Sequence, residues 1–392
     1  MPRVATRFDH IQKSATYAVL DLVRELRAQG ADVLDLGGGE PDFDTPEHIS
    51  DAAVSALREG FTHYTPSRGT PELLEAIAEK LAKDNDLLVD PMRDVVVTPS
   101  AKHALSSAVL TVAGPGDELI VPTPSWVSYA AMAHLAGARP VPAPLSARDG
   151  FRLTAGALEQ ALTRRTRAVL VNTPNNPTGR LLDADELTTL VRFAREHDLV
   201  IISDEIYEKI TYADRPHLSP AALPGGAERT LTVNGFSKGY AMTGWRLGYV
   251  AGPTEIIAEL LKVQQHTVGC ASSFAQRGAV VALTGPQEPI TAMTTEYAAR
   301  RDLLVAGLNG LPGVTCAVPD GALYVFPDIR GTGRGDSARF TEWLLREAGV
   351  AVTPGSAFGE GGEGHVRLSF ATSREVLADA VGRIGTALGA DR

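Results

Sequence analysis

The stretch Asn234-Gly235-Phe236-Ser237-Lys238-Gly239-Tyr240-Ala241-Met242-Thr243-Gly244-Trp245-Arg246-Leu247-Gly248 follows an apolar, strand-like run over residues 230–233. It sets a lysine in a turn of small residues and an arginine eight positions further on. A lysine amine is a poor nucleophile while protonated. Held among Gly, Ser and Phe and near other cations, it gives up its proton more readily and can condense with a carbonyl as a Schiff base. The planar fork of Arg246 suits the phosphate of whatever carries that carbonyl. Taken alone, the pair fits one surface lysine and one structural arginine equally well. The rest of the chain has to decide.

Similar apolar runs flank this one, at 95–98, 118–121, 168–172, 200–204 and 248–251. Helical patterns alternate with them, among them 101–113, 126–137 and 183–197. Short, nearly continuous apolar strands between helices indicate an α/β fold whose central sheet is mostly parallel and covered on both faces. The pattern changes near residue 290. A long helix over 289–308 leads to strands near 322–326, 350–353 and 365–370. The expected organisation is an N-terminal arm and first part of a small domain (1–46), a large domain (47–290) and a C-terminal small α+β domain (291–392). The N-terminal segment holds a helix over about 16–29 and a strand over 33–36, which enters Gly37-Gly38-Gly39-Glu40-Pro41-Asp42-Phe43-Asp44-Thr45-Pro46. Three glycines after a strand allow close backbone approach to a ligand. The spacing is not the GxGxxG of a dinucleotide site, so a nicotinamide-dependent dehydrogenase is disfavoured.

With 392 residues the chain has ample core for two or three domains. Its net charge of 37 − 47 = −10 gives no electrostatic footprint for nucleic acid, which also disfavours a DNA-binding regulator. No long uncharged apolar run suggests a membrane span or a signal peptide. Two cysteines, Cys270 and Cys316, are too few for a disulfide scaffold or a zinc site. The expectation is a cytoplasmic enzyme without a metal.

In open α/β sheets, ligands sit outside the carboxyl ends of the strands. After 95–98 come Ser100, Ala101 and Lys102, a helix start whose N–H groups and hydroxyl make a phosphate seat. Residues 168–172 are followed by Thr173-Pro174-Asn175-Asn176-Pro177-Thr178-Gly179, and 200–203 by Asp204, Glu205 and Tyr207. Lys238 comes after 230–233. Each feature alone has an ordinary structural explanation: a turn, a helix cap, a rim aromatic. Together they match what pyridoxal phosphate needs: a lysine for its aldehyde, a carboxylate against its ring nitrogen, donors to its phenolate oxygen and a phosphate cradle. A carboxylate beside the pyridine nitrogen keeps that nitrogen protonated.

On these motifs, together with Ser14-Ala15-Thr16 and Gly364-His365-Val366-Arg367-Leu368-Ser369, the chain resembles the fold-type I, class I/II aminotransferases, and within them the bacterial aspartate aminotransferase branch, some of whose members also accept prephenate. The resemblance covers nearly the whole chain, and the Lys238 segment fits the family's lysine-attachment signature at every restricted position. It implies the pyridoxal-phosphate-dependent transferase fold and a homodimer with shared active sites. Lys238 would hold the cofactor and shuttle the proton, Asp204 would pair with the ring nitrogen, and Tyr207 and Asn176 would bond the phenolate oxygen. Trp126 would stack on the ring. Ser100, Ala101 and Arg246 would hold the phosphate, with Tyr64 reaching in from the second subunit. Many relatives carry Ser where this chain has Gly235, so Ser237 is the candidate substitute hydroxyl. Arg367 would bind the substrate α-carboxylate beside the Gly39 backbone, with Thr16 and Lys102 on the distal carboxylate of an acidic substrate. The implied reaction is transfer of an amino group from an acidic amino acid, aspartate first, to 2-oxoglutarate by ping-pong half-reactions. Prephenate transamination, or elimination, replacement or oxidation on the same cofactor, stays open, because fold does not decide between them.

Overall fold

The structure, a computed structural model, describes residues 5–11, 15–212 and 216–389; the side chains of 6–7, 15–18 and 20 fall outside that description. Helix α1 (Ala15–Ala28) leads through strand β1 (Leu34–Asp35) to helices α2 (Glu47–Arg58) and α3 (Pro71–Asn85). Seven strands come next: β2 (Val95–Thr98), β3 (Glu118–Thr123), β4 (Arg139–Pro144), β5 (Thr166–Asn172), β6 (Val200–Asp204), β7 (Thr230–Gly235) and β8 (Gly248–Ala251). They form one sheet in the order β2-β8-β7-β6-β5-β3-β4. From β7 to β4 every pairing is parallel, and β8 alone runs against its neighbours β7 and β2.

The near-continuous apolar runs divide between the two faces with the period of two that strand geometry imposes. Leu170, Ile202, Leu231 and Val233 pack with Leu105 and Tyr129, from α4 (Ala101–Val112) and α5 (Ser128–Ala136). Their sheet neighbours Val169 and Ile201 face Leu190 and Phe193 of the helix Ala184–Glu196. At the β2 edge, Val95 and Val97 meet Leu73 and Ile77 of α3. Burying one such side chain completely contributes about 1.5–3 kcal/mol, so the two-sided covering is what holds the sheet.

The candidate strands of the sequence leave out residues 139–144, where Pro140, Pro142 and Pro144 argue against a ladder. These residues form β4, paired with β3 from Glu118↔Arg139 to Thr123↔Pro144. The strand survives because it lies at the sheet edge, where missing N–H groups on the outer side cost nothing. The run at 350–353 is in fact two short strands. After the helix Glu288–Asn309 come β9 (Tyr324–Val325), β10 (Val350–Ala351), β11 (Thr353–Pro354) and β12 (Val366–Ser369). The order β11-β12-β9 makes an antiparallel sheet, and β10 pairs in parallel with β1. Leu36 packs with Tyr324, Val350 and Leu368 in one apolar cluster, so the chain's early strand is built into its late sheet region.

Candidate active site

Strands β2, β5, β6 and β7 end at one rim of the large sheet, and β8, running the other way, begins there. Gly248, its first residue, is paired with both Thr98 and Gly235. This topology explains why Arg246, just before β8, joins residues that lie after other strands. A cavity of about 530 Å³ opens at this rim and reaches across to β9 and β12.

Asp204, the last residue of β6, is 3% exposed. Its Oδ2 accepts a 2.7 Å hydrogen bond from the Tyr129 hydroxyl, and its Oδ1 a 3.3 Å bond from Ile206 N–H. Burial pushes this carboxyl up to about 6, although both hydrogen bonds pull it down. Asn172, ending β5, donates to the Asp204 carbonyl at 2.8 Å and accepts from Asn176 N–H at 2.7 Å, which ties the two strand ends together. The Tyr207 hydroxyl lies 2.8 Å from that of Tyr324.

Lys238 is half-buried, and its amine donates to the Gly39 carbonyl at 2.5 Å. Burial draws this amine down to about 8; Arg367 and Arg246 act in the same direction and Glu40 and Asp204 against it. Only the unprotonated amine attacks a carbonyl. Uptake of pyridoxal phosphate by cofactor-free protein is therefore expected to quicken roughly tenfold per pH unit up to about pH 8 and then level off. Stopped-flow absorbance measures it, and a rate still climbing at pH 10 would place the amine near its ordinary value.

Ser100 caps α4, with φ at 101° and its hydroxyl accepting from His103 N–H at 3.3 Å. A Cβ added at Gly248 would stand 2.3 Å from Ala101 N, so glycine there keeps the start of α4 against the sheet. The exposed Arg246 donates to the Thr243 carbonyl at 2.7 Å. Ser237 is on the cavity wall nearby, while Gly235 has backbone within 3.0 Å of any added Cβ. Trp126 lines the cavity with the Lys102 ammonium 4.9 Å from its ring centre.

On β12, Arg367 is 1% exposed. It donates to Asn176 Oδ1 at 2.9 Å and to the Gly37 carbonyl at 2.6 Å, and its guanidinium lies 4.4 Å from the Tyr324 ring centre. Its buried Nε–H has no partner. An unpaired donor on a buried cation is costly unless a ligand completes it, and a carboxylate would.

Of the residues singled out from sequence, the cavity thus gathers Gly39, Ser100, Ala101, Lys102, Trp126 and Asn176, and with them Asp204, Tyr207, Ser237, Lys238, Arg246 and Arg367. Tyr64 is not among them: it is 96% exposed on its own chain. The Thr16 side chain lies outside the described residues. The sequence reading missed Tyr129 and Tyr324. The available signal for Tyr129 was its place one helical turn after Trp126; Tyr324 had none. Arg24 of α1, Glu40 and Thr243 also line the cavity.

The donor set suits pyridoxal phosphate. It offers a helix start with no room for a Cβ behind it, a buried carboxylate, phenol and amide groups, and one amine of lowered proton affinity. The sequence matches the profile of the family "Aminotransferase class I and II" over residues 31–384. It is 50% identical over 388 residues to the aspartate aminotransferase of Musicola paradisiaca, covering 99% of this chain and 97% of that one. It is 42% identical to aromatic-amino-acid aminotransferase 2 of Thermococcus litoralis, covering 97% of each. The solved structure of Thermus thermophilus aspartate aminotransferase with maleate superposes with a TM-score of 0.94 at 42% identity, over 99% of this chain and 100% of that one.

Proposed function

The chain belongs to the class I and II aminotransferases, and on that premise we propose that it moves the amino group of aspartate to 2-oxoglutarate by two half-reactions at the rim of its large sheet. The family is pyridoxal-phosphate dependent. When bound, that cofactor supplies an aldehyde for the amino group and a protonated ring that draws electrons away from the substrate Cα.

The chain's own residues do the rest. Ser100, Ala101 N–H, Ser237 and Arg246 receive the phosphate, and Trp126 covers the ring. Asp204, held by Tyr129, keeps its charge opposite the ring nitrogen, while Tyr207 and Asn176 donate to the phenolate oxygen. The Lys238 amine tethers the cofactor and, once freed, moves a proton at the substrate Cα. Arg367 takes the α-carboxylate, with its unpartnered Nε–H as the observation that carries this assignment. Gly39 lies beside the substrate; its carbonyl already holds the Lys238 amine. Tyr64, exposed on its own chain, serves the cavity of a second copy in a homodimer, which light scattering would show as twice the chain mass. Residues 1–46 and 291–392 form the unit that closes over the substrate and excludes water. The cytoplasm is the compartment proposed; among the described residues no helix is long and apolar enough to cross a membrane.

Lys102, on the cavity wall, is assigned with Thr16 to the distal carboxylate. Lys102→Ala is expected to raise KM for aspartate about tenfold, the scale of one partly solvated charge contact, and to leave alanine or an aromatic donor unchanged. Half-reaction spectra with each amino acid measure both. Equal losses for all donors, or a wild-type preference for aromatic donors, would end the aspartate assignment.

A further inference from the structure

Tyr324, the first residue of β9, is used by none of the steps above, yet it touches three groups they depend on. Its hydroxyl lies 2.8 Å from that of Tyr207, an ordinary length for an O–H···O hydrogen bond. Its ring centre is 4.4 Å from the Arg367 guanidinium, which also lies 5.1 Å from the Phe358 ring centre. Its second polar contact, to the Gly39 carbonyl, is 3.5 Å long. A Cβ added at Gly39 would stand 2.3 Å from the Tyr324 hydroxyl oxygen, so the glycine is what gives that hydroxyl its place. Tyr324 is 1% exposed and Tyr207 4%, so each hydroxyl has to find its partners within the protein or in the cavity.

Two hydroxyls sharing one hydrogen bond leave one proton over, and the surroundings decide which. If Tyr207 donated, the Tyr324 proton would be left with the Gly39 carbonyl, too distant at 3.5 Å for a strong bond and already holding the Lys238 amine at 2.5 Å. If Tyr324 donates, the Tyr207 proton is left for the cavity, which both residues line. We propose that the Tyr324 hydroxyl donates to the Tyr207 oxygen and thereby turns the Tyr207 proton toward the phenolate oxygen of the bound cofactor. Tyr324 is then a positioning residue that acts through Tyr207. Hydrogen bonds in such a chain strengthen one another, so Tyr207 becomes the better donor. Asn176 is set in the same manner: Arg367 donates to its Oδ1, which leaves its N–H groups for the cavity. Asp204, Arg367, Tyr129 and the Lys238 amine, 5.9 Å from the ring centre, also face the Tyr207 phenol, and none of them is altered below.

The test uses the holoenzyme and the variants Tyr324→Phe, Tyr207→Phe and the two combined, with the absorbance of bound pyridoxal phosphate titrated against pH. The titrating group is the nitrogen that joins Lys238 to the cofactor. A donor at the phenolate oxygen draws on the charge that would otherwise hold the proton on this nitrogen, so a weaker donor raises the midpoint. Tyr324→Phe is expected to raise it by about half a pH unit, and to add nothing in the Tyr207→Phe background. An unmoved midpoint overturns the proposal. So does a lowered one, which would mean that Tyr207 had been donating to Tyr324, and so does a shift that persists in the Tyr207→Phe background. The combined variant removes both hydroxyls and leaves neither unpaired, so its comparison with Tyr207→Phe stands even where the single Tyr324 variant folds poorly. Affinity for succinate, a dicarboxylate with no amino group to react, reports Arg367 separately. It should stay within about twofold in Tyr324→Phe, because the ring against the guanidinium is kept. A loss of about tenfold with an unmoved midpoint would place the role of Tyr324 at Arg367 alone and overturn the proposal. The inference rests on the cofactor reading of the cavity and not on the amino acid it takes. Wild-type protein that takes up no pyridoxal phosphate fails that reading; loaded protein whose midpoint ignores Tyr324→Phe fails only this inference.

Discussion

Lys238→Ala is expected to lower transamination by about 10⁴-fold, because it removes the amine assigned to move the proton at Cα. The other amine on the cavity wall, Lys102, sits over the Trp126 ring. The substitution removes one hydrogen bond, to the Gly39 carbonyl, and empties no apolar core. The fold should therefore persist, and thermal unfolding followed by circular dichroism should change little. Lys238→Arg is expected to be as inactive as the alanine variant: a guanidinium fits a charge-only role but stays protonated and cannot act as base or nucleophile. Recovery of substantial turnover in the arginine variant would contradict the role given to the amine.

Asp204→Asn is expected to cost about 10³-fold in kcat, the scale on which removal of one preorganised charge contact slows a reaction. Asparagine matches the shape and can still accept from Tyr129, so what is lost is the charge. The loss should fall on kcat more than on KM, since the ring charge matters once electrons are leaving Cα. Burial, offset in part by the hydrogen bonds from Tyr129 and Ile206, leaves the Asp204 carboxyl at about 6; a cation bound against it would bring it down again. The bound form should accordingly keep its ring charge below pH 6, and a steep loss of kcat just below pH 6 in the wild-type protein would count against the pairing.

The sheet and its rim were legible because both rest on local patterns. Four- to seven-residue apolar runs declare strands buried on two faces, and topology then brings the residues just past their carboxyl ends to one edge. Ser100, Asp204 and Lys238 could be assigned to that edge with no knowledge of distances. Strand β4 was hidden because its three prolines speak against a ladder, and only its edge position, a tertiary fact, makes them harmless. The partners that hold the site were hidden for a similar reason. Tyr129 reaches Asp204 across 75 residues of chain, and Tyr324 reaches Tyr207 across 117. No spacing rule links them. The Glu205–His217–Lys80–Glu208 cluster is the extreme case: its members lie on three separate segments and meet only in the fold.

Trapping the tether is the most direct measurement. The protein is loaded with pyridoxal phosphate, reduced with borohydride, digested and mapped by mass spectrometry. One pyridoxyl label on the peptide carrying Lys238 is the expected result; a label on another lysine, or none, would contradict the chemistry assigned to this rim.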